Sequence, residues 1–251
     1  MALILGYKDF DDVYFGINKA ILKNPSMLSH RRSTQGFIED LTMKVSSFKC
    51  TKIDLGPLGY HRRKWEHLLR VYLDIPKLEE FYEQLEKSRG LSIAFDFNRK
   101  DSHNGSCLRE LIFTRPNQNK PWTSVKIIWR ATELQRRFAA DLILLNQILT
   151  HTPYCEIKDI TLYIAQAYQS AMYIVPLLEP QFGVKVKDLK DSRDGHLSTI
   201  YKRWEKYYQA DSPPQKLSCN LRMQELHQDI LKGKKFDKLT TKNLKIPFTG
   251  N

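Results

Sequence analysis

The sequence predicts an α+β protein: a mixed, largely antiparallel sheet packed by helices, with a helical C-terminal extension. Three observations carry this reading. Runs with period-two character, such as L-S-I-A-F-D-F and S-V-K-I-I-W-R, read as strands. Apolar residues at helical spacing recur between them. The two kinds of element mix without a regular β-α-β alternation, which argues against a fully parallel sheet. The chain has 251 residues, 41% of them hydrophobic, enough to bury a sizeable core. We divide it into a sheet domain over 1–185 and the extension over 186–251.

In chain order, Phe10, Val13, Tyr14, Ile17 and Ile21 share one face of a helix over 9–23, with Asp9 or Asp11 as cap and Asn24-Pro25 as stop. The stretch M-L-S-H-R-R-S-T-Q-G-F-I-E-D-L-T-M-K-V reads as a basic entry into a short helix, with Ser33 or Thr34 at its N-cap. Residues 50–60, with Gly56-Pro57 and Gly59, read as loop. Trp65, Leu68, Leu69 and Tyr72 line a helix, and Ile75-Pro76 starts another with Leu78, Phe81, Tyr82 and Leu85 inward.

The strand L-S-I-A-F-D-F follows, then a polar loop that delivers Cys107. C-L-R-E-L-I-F-T-R and S-V-K-I-I-W-R flank the turn Pro116 to Pro121 and form an antiparallel pair. Thr132 to Thr150 gives the strongest helix pattern, closed by Pro153. E-I-K-D-I-T-L-Y-I-A-Q-A-Y is a further strand leading to a helix at Gln169 to Leu178. V-K-V-K-D-L reads as an edge strand, and helices near Ser198 to Gln209 and Leu221 to Lys232 complete the chain.

The net charge of +12 fits a nucleic acid partner, an anionic small molecule, or neither. Its clusters, among them His61-Arg62-Arg63-Lys64, also read as solvated faces. No apolar run approaches the ~20 residues of a membrane span. The N-terminal M-A-L-I-L-G-Y has no basic lead-in or cleavage site. The expectation is a soluble cytoplasmic protein with reduced thiols. Cys50, Cys107, Cys155 and Cys219 lie far apart, without metal-type spacing, which argues against a zinc site.

No phosphate-binding glycine loop, nucleophile elbow or H-E-x-x-H occurs. Three residues remain as chemistry carriers, each with a plainer alternative. Cys107, between a polar loop and a strand and near Arg109, Arg115 and Arg130, suits a reachable thiolate, or else a small buried residue. Arg130 can fork onto a phosphate or pair with Glu133. Asp141, at the edge of an apolar helix face, needs a donor, or else pairs with Arg137 one turn earlier.

Together these residues resemble the thymidylate synthase and pyrimidine hydroxymethylase superfamily. The family's order is a nucleophilic cysteine, a strand pair, an arginine opening R-S-x-D, and a helix carrying the residue that reads the pyrimidine. Here the order is Cys107, then Arg130-Ala131-Thr132-Glu133, then Asp141, with Ser-Cys-Leu where the family has Pro-Cys-His. Ser88-Arg89 is similar to the family's Ser-Arg before a strand, whose arginine reaches the partner subunit's nucleotide. W-E-H-L-L-R-V-Y-L-D is similar to the helix that holds the catalytic glutamate, implying Glu66. An alternative alignment places Tyr60 on the family's tyrosine loop and excludes Glu66. H-R-R-S-T-Q matches the phosphate loop at Arg32, and Q-A-Y-Q-S-A-M-Y aligns Tyr168 and Ser170 with the sugar-binding pair.

The resemblance spans roughly 60–178 and implies a thymidylate-synthase-like nucleotide domain, a homodimer and 5,10-methylenetetrahydrofolate as one-carbon donor. It also implies a mechanism in which the Cys107 thiolate adds to C6 of the ring, C5 attacks the one-carbon unit, and water completes a hydroxymethyl group. An ionised aspartate accepts from the N4 amine and protonated N3 of cytosine, so Asp141 implies cytidylate or deoxycytidylate. Arg130, Arg32 and a partner's Arg89 would hold the phosphate, with Glu66 moving protons. The alternatives are a methyl-transferring enzyme acting on deoxyuridylate, a catalytically divergent homologue, and a basic nucleic-acid-binding protein using helices such as I-Y-K-R-W-E-K-Y-Y.

Overall fold

The computed structural model describes residues 3–23, 35–53, 73–97, 107–170, 174–175, 178–191, 193 and 198–202. The elements are β1 (Leu3–Tyr7), α1 (Phe10–Lys23), β2 (Gln35–Val45), α2 (Ile75–Lys87), β3 (Ser92–Asp96), β4 (Leu108–Thr114), β5 (Trp122–Glu133), α3 (Arg137–His151) and β6 (Cys155–Ser170), then the short helices α4 (Leu178–Phe182) and α5 (Val186–Asp191). The strands form one sheet in the order β1-β2-β6-β5-β4-β3. The β1–β2 and β5–β6 pairs are parallel and the other three antiparallel, so the protein is α+β with a mixed, largely antiparallel sheet. No helix among the described residues is long and apolar enough to cross a membrane.

Helices α1, α2 and α3 pack on one face of this sheet, and the core lies between. Phe10, Val13, Tyr14, Ile17 and Ile21 of α1 are all fully buried, as their spacing predicts. The Phe81 ring of α2 lies 5.2 Å from Phe95 and 5.8 Å from Phe113, centroid to centroid. The Trp122 indole N–H donates to the Leu85 carbonyl at 3.1 Å, fastening α2 to the start of β5. The Asp11 carboxylate accepts the backbone N–H groups of Thr51, Lys52 and Ile53 at 2.8, 2.9 and 3.2 Å, which straps the segment after β2 to α1.

The sheet bends along one line that crosses four strands. Leu41, Ile164, Trp129 and Leu108 pair side by side across β2, β6, β5 and β4, and all are buried. Ile38, Ala167 and Thr132 form the next buried row. Alternation allows one outward residue between inward ones, yet each strand has two: Glu39 and Asp40, Ala165 and Gln166, Arg130 and Ala131. In β4 the doubled pair is Arg109 and Glu110, where the pairing with β5 shifts. The extra residues of β2, β6 and β5 lie at one level and stay paired residue for residue, while that of β4 falls on the other side of the Leu108–Trp129 row; extra residues of this kind bend the strands that carry them. In β2 the bulge residue Asp40 sits at φ 54°, the left-handed region that asparagine and aspartate tolerate best after glycine.

This bend explains the largest departure from expectation. The stretch from Ser33 to Val45 was expected to be a short helix, yet β2 is an 11-residue strand. With the bulge inserted, Ile38, Leu41 and Val45 fall at i, i+3 and i+7, which mimics a helical stripe. Two further corrections follow from local chemistry. The helix expected from Thr132 starts at Arg137, because β5 continues to Glu133 and its carboxylate accepts the N–H groups of Gln135 at 2.9, Arg136 at 2.9 and Arg137 at 3.4 Å. The edge strand expected at V-K-V-K-D-L is helix α5 with Leu189 inward, since two valines are too short a run to set a period. Gln169 and Ser170, expected to open a helix, end β6. The apolar N-terminus forms the parallel edge strand β1. The expected helix around Trp65 and the C-terminal residues 203–251 lie outside the described residues.

Candidate functional site

The bend is where the sequence candidates gather. Arg130 sits on the doubled outward step of β5 and is exposed. Its backbone N–H donates to the Cys107 carbonyl at 2.9 Å, so the two residues face each other across β4 and β5. Leu108 and Trp129, the next pair, point into the core. By alternation, the half-buried Cys107 and the exposed Arg130 are presented on the outer face, away from the helices.

Asp141 lies one rung away on the other side of the sheet. It is 0% exposed, within α3, and its Oδ2 accepts the Trp129 indole N–H at 2.9 Å. Oδ1 has no hydrogen-bond partner among the described residues. Burial pushes the carboxyl up to about 7, against the lowering effects of the Trp129 hydrogen bond and the Arg137 charge. The surface pair with Arg137 weighed from the sequence therefore does not describe Asp141, which is a core residue. The Arg130–Glu133 pair fails on similar grounds. Glu133 is buried and committed to the first turn of α3, and burial raises its pKa while those backbone N–H groups lower it.

The remaining candidates fall at different distances. Tyr168, on β6, is half-buried opposite Glu133 on β5 and Phe37 on β2, with its ring 6.3 Å from that of Phe37. Alternation against Ala167 and Gln169 puts it on the same outer face as Arg130. Ser170 ends β6 opposite Gln35. Arg89 is exposed just after α2, beside the end of β4 farthest from Cys107, about 20 Å along the strand. Glu66, Arg32 and the alternative Tyr60 lie outside the described residues.

Two participants escaped the sequence reading. Trp129 fixes Asp141, and its signal was available: a buried indole N–H requires an acceptor. The Tyr163 hydroxyl donates to Asp40 Oδ1 at 2.7 Å across the outer face. That contact raises the phenol pKa, and it depends on the positive φ of Asp40, which alternation does not reveal.

The architecture is that of an α+β protein whose mixed sheet carries helices on one face, with a candidate thiol and guanidinium on the other. No family model matches the chain, and no curated protein matches it. Among solved structures it is similar to the thermostable thymidylate synthase A from Bacillus subtilis, with a TM-score of 0.43 and 11% identity, covering 71% of this chain and 85% of that one.

Proposed function

We propose that the chain is a pyrimidine nucleoside monophosphate C5 hydroxymethyltransferase, acting on cytidylate or deoxycytidylate through a covalent adduct of Cys107 at ring C6. The observation that supports it most is the rung that joins Cys107 to Arg130 at the bend. It sets a thiol and a guanidinium side by side on one sheet, with Arg130 on the doubled outward step of β5. The chemistry then follows from what the residues are. The Cys107 thiolate adds to C6, the electron pair passes to C5, C5 attacks the one-carbon unit, and loss of the C5 proton then expels the thiolate and restores the ring. Arg130 anchors the phosphate as a planar bidentate donor, and Tyr168, on the same face, contacts the sugar with Ser170.

Asp141 is the proposed reader of N3 and N4. Its carboxyl lies on the helix side of the sheet, opposite Cys107 and Arg130, so this role requires a rearrangement that brings it to the face of the thiol. Glu66 as the proton-moving group and Arg32 as a second phosphate ligand complete the proposal. Arg89 is too far along β4 to serve its own Cys107, so it acts on the partner's site in a homodimer. The outer sheet face carries no helix among the described residues and supports such pairing. Reduced folate, 5,10-methylenetetrahydrofolate, is the proposed one-carbon donor, and it would supply the carbon that C5 attacks. Around Cys107 the described residues Arg109, Glu110, Arg130 and Ala131 offer charge but no aromatic face for a pteridine, so no step is assigned to it.

The test needs no folate. Addition at C6 labilises the C5 hydrogen, so the full chain should release tritium from 5-tritiated cytidylate into water, and Cys107→Ser should abolish that release. Unchanged exchange in the serine variant refutes the adduct. Asp141→Asn should move the preference toward uridylate, and an unmoved preference removes Asp141 from base reading.

A further inference from the structure

A cleft of about 440 Å3 opens at the other end of the sheet, where β1 and β2 finish and β6 begins. Lys8, Lys44, Lys158, Asp12 and Asp159 line it, with Gly6 among them. It lies six residues along β6 from the level of Arg130, about 20 Å away, so it is separate from the Cys107 rung.

Its charges are uneven in use as well as in number. Asp12 accepts the Lys8 backbone N–H at 2.9 Å through Oδ2, and Lys44 donates to Thr161 Oγ1 at 2.8 Å. Among the described residues the Lys8 and Lys158 side chains have no hydrogen-bond or ion-pair partner, and neither has Asp159. Three ammonium groups against two carboxylates leave the cleft positive, with two cations and one acceptor uncommitted. Nothing stands within 4 Å of where a Gly6 side chain would begin, so the cleft stays open there.

We propose that this cleft binds a phosphorylated sugar or polyol. The lysines, donors only, take the phosphate. An ionised carboxylate is acceptor-only, and in a site that attracts an anion it is useful where the ligand also brings hydroxyl donors, which Asp159 accepts. The volume falls within the ordinary range for small-ligand sites, about 300–1,000 Å3. The site does not depend on the proposed transferase activity.

The experiment titrates the full chain by calorimetry with ribose 5-phosphate and, separately, inorganic phosphate. Ribose 5-phosphate should bind more tightly. The double variant Lys8→Gln/Lys158→Gln should weaken both probes by about tenfold or more, the loss expected when charge-assisted hydrogen bonds are removed. Asp159→Ala should weaken ribose 5-phosphate alone, bringing it down to the affinity of inorganic phosphate. Lys120→Gln, in the turn between β4 and β5, should leave both unchanged. All these side chains are exposed, so the variants should melt like the parent. Absence of binding by the parent, retention by the double variant, or equal loss in Lys120→Gln overturns the site. An Asp159→Ala variant that binds both probes like the parent overturns the sugar assignment.

Discussion

Replacing Asp141 by asparagine should reverse sign with pH. In the folded chain burial raises this carboxyl from 3.8 to about 7. The native state therefore holds a proton that the unfolded chain releases, and stability falls as pH rises from about 4 to about 7, then stays level. The displacement corresponds to about 4 kcal/mol, at 1.36 kcal/mol for each tenfold change in proton affinity. Asparagine does not titrate. Its carbonyl can still accept the Trp129 indole N–H, but its amide donors inherit the place of Oδ1, which has no partner. An unsatisfied buried donor costs about 1–3 kcal/mol. Asp141→Asn should thus be less stable than the parent near pH 4 and more stable near pH 8, by about 1–3 kcal/mol in each direction. Urea denaturation of both proteins at half-unit steps from pH 4 to 8 measures it, because the other titrating groups cancel in the difference. Parallel curves would show that the carboxyl is not held at about 7 in the folded chain, and the burial argument would fail.

Other substitutions test the scaffold around the bend. Glu133→Ala removes the acceptor for three backbone N–H groups at the start of α3, and should cost about 1–2 kcal/mol at neutral pH in chemical denaturation, as a lost helix cap does. Trp122→Phe leaves the Leu85 carbonyl without its indole donor and opens space in a fully buried position; a loss of about 1–3 kcal/mol is expected in the same assay. Gly16→Ala places a methyl carbon 2.5 Å from the Tyr7 ring, so that ring must shift, and the melting temperature should drop by an amount equivalent to about 1–3 kcal/mol.

The parts of the fold that the sequence revealed are those where one period runs unbroken. Helix α1 and strand β3 keep their 3.6- or 2-residue pattern over their length, and β4 and β5 keep theirs from Leu111 to Thr114 and from Val125 to Arg130, the stretches that periodicity places. Strand β2 was misread because the extra residue at Asp40 converts an alternating pattern into a helical one, and the compensating bulges lie on strands distant in sequence. The start of α3 was hidden because Glu133 caps the helix from the end of a strand, a tertiary arrangement that local propensity does not encode. For the site, Cys107 and Arg130, grouped by their order in the sequence, are neighbours across β4 and β5, and Asp141 is bonded to the adjacent Trp129. Their order did not reveal which side of the sheet each occupies. That depends on the Trp129–Asp141 hydrogen bond, which draws the aspartate inward.

The aligned bulges also constrain how this gene can change. Deleting Asp40 alone would leave β2 one residue short of β6, and either Leu41, Met43 and Val45 or Gly36 and Ile38 would have to turn outward. A matching deletion in β6 and another in β5 would bring the rows back into step. Single-codon deletions at this level should therefore be lethal to folding one at a time and tolerated only in sets. Loss or gain of the bend over generations would then be a concerted event, visible in a deletion library as suppressor combinations linking codons more than a hundred positions apart.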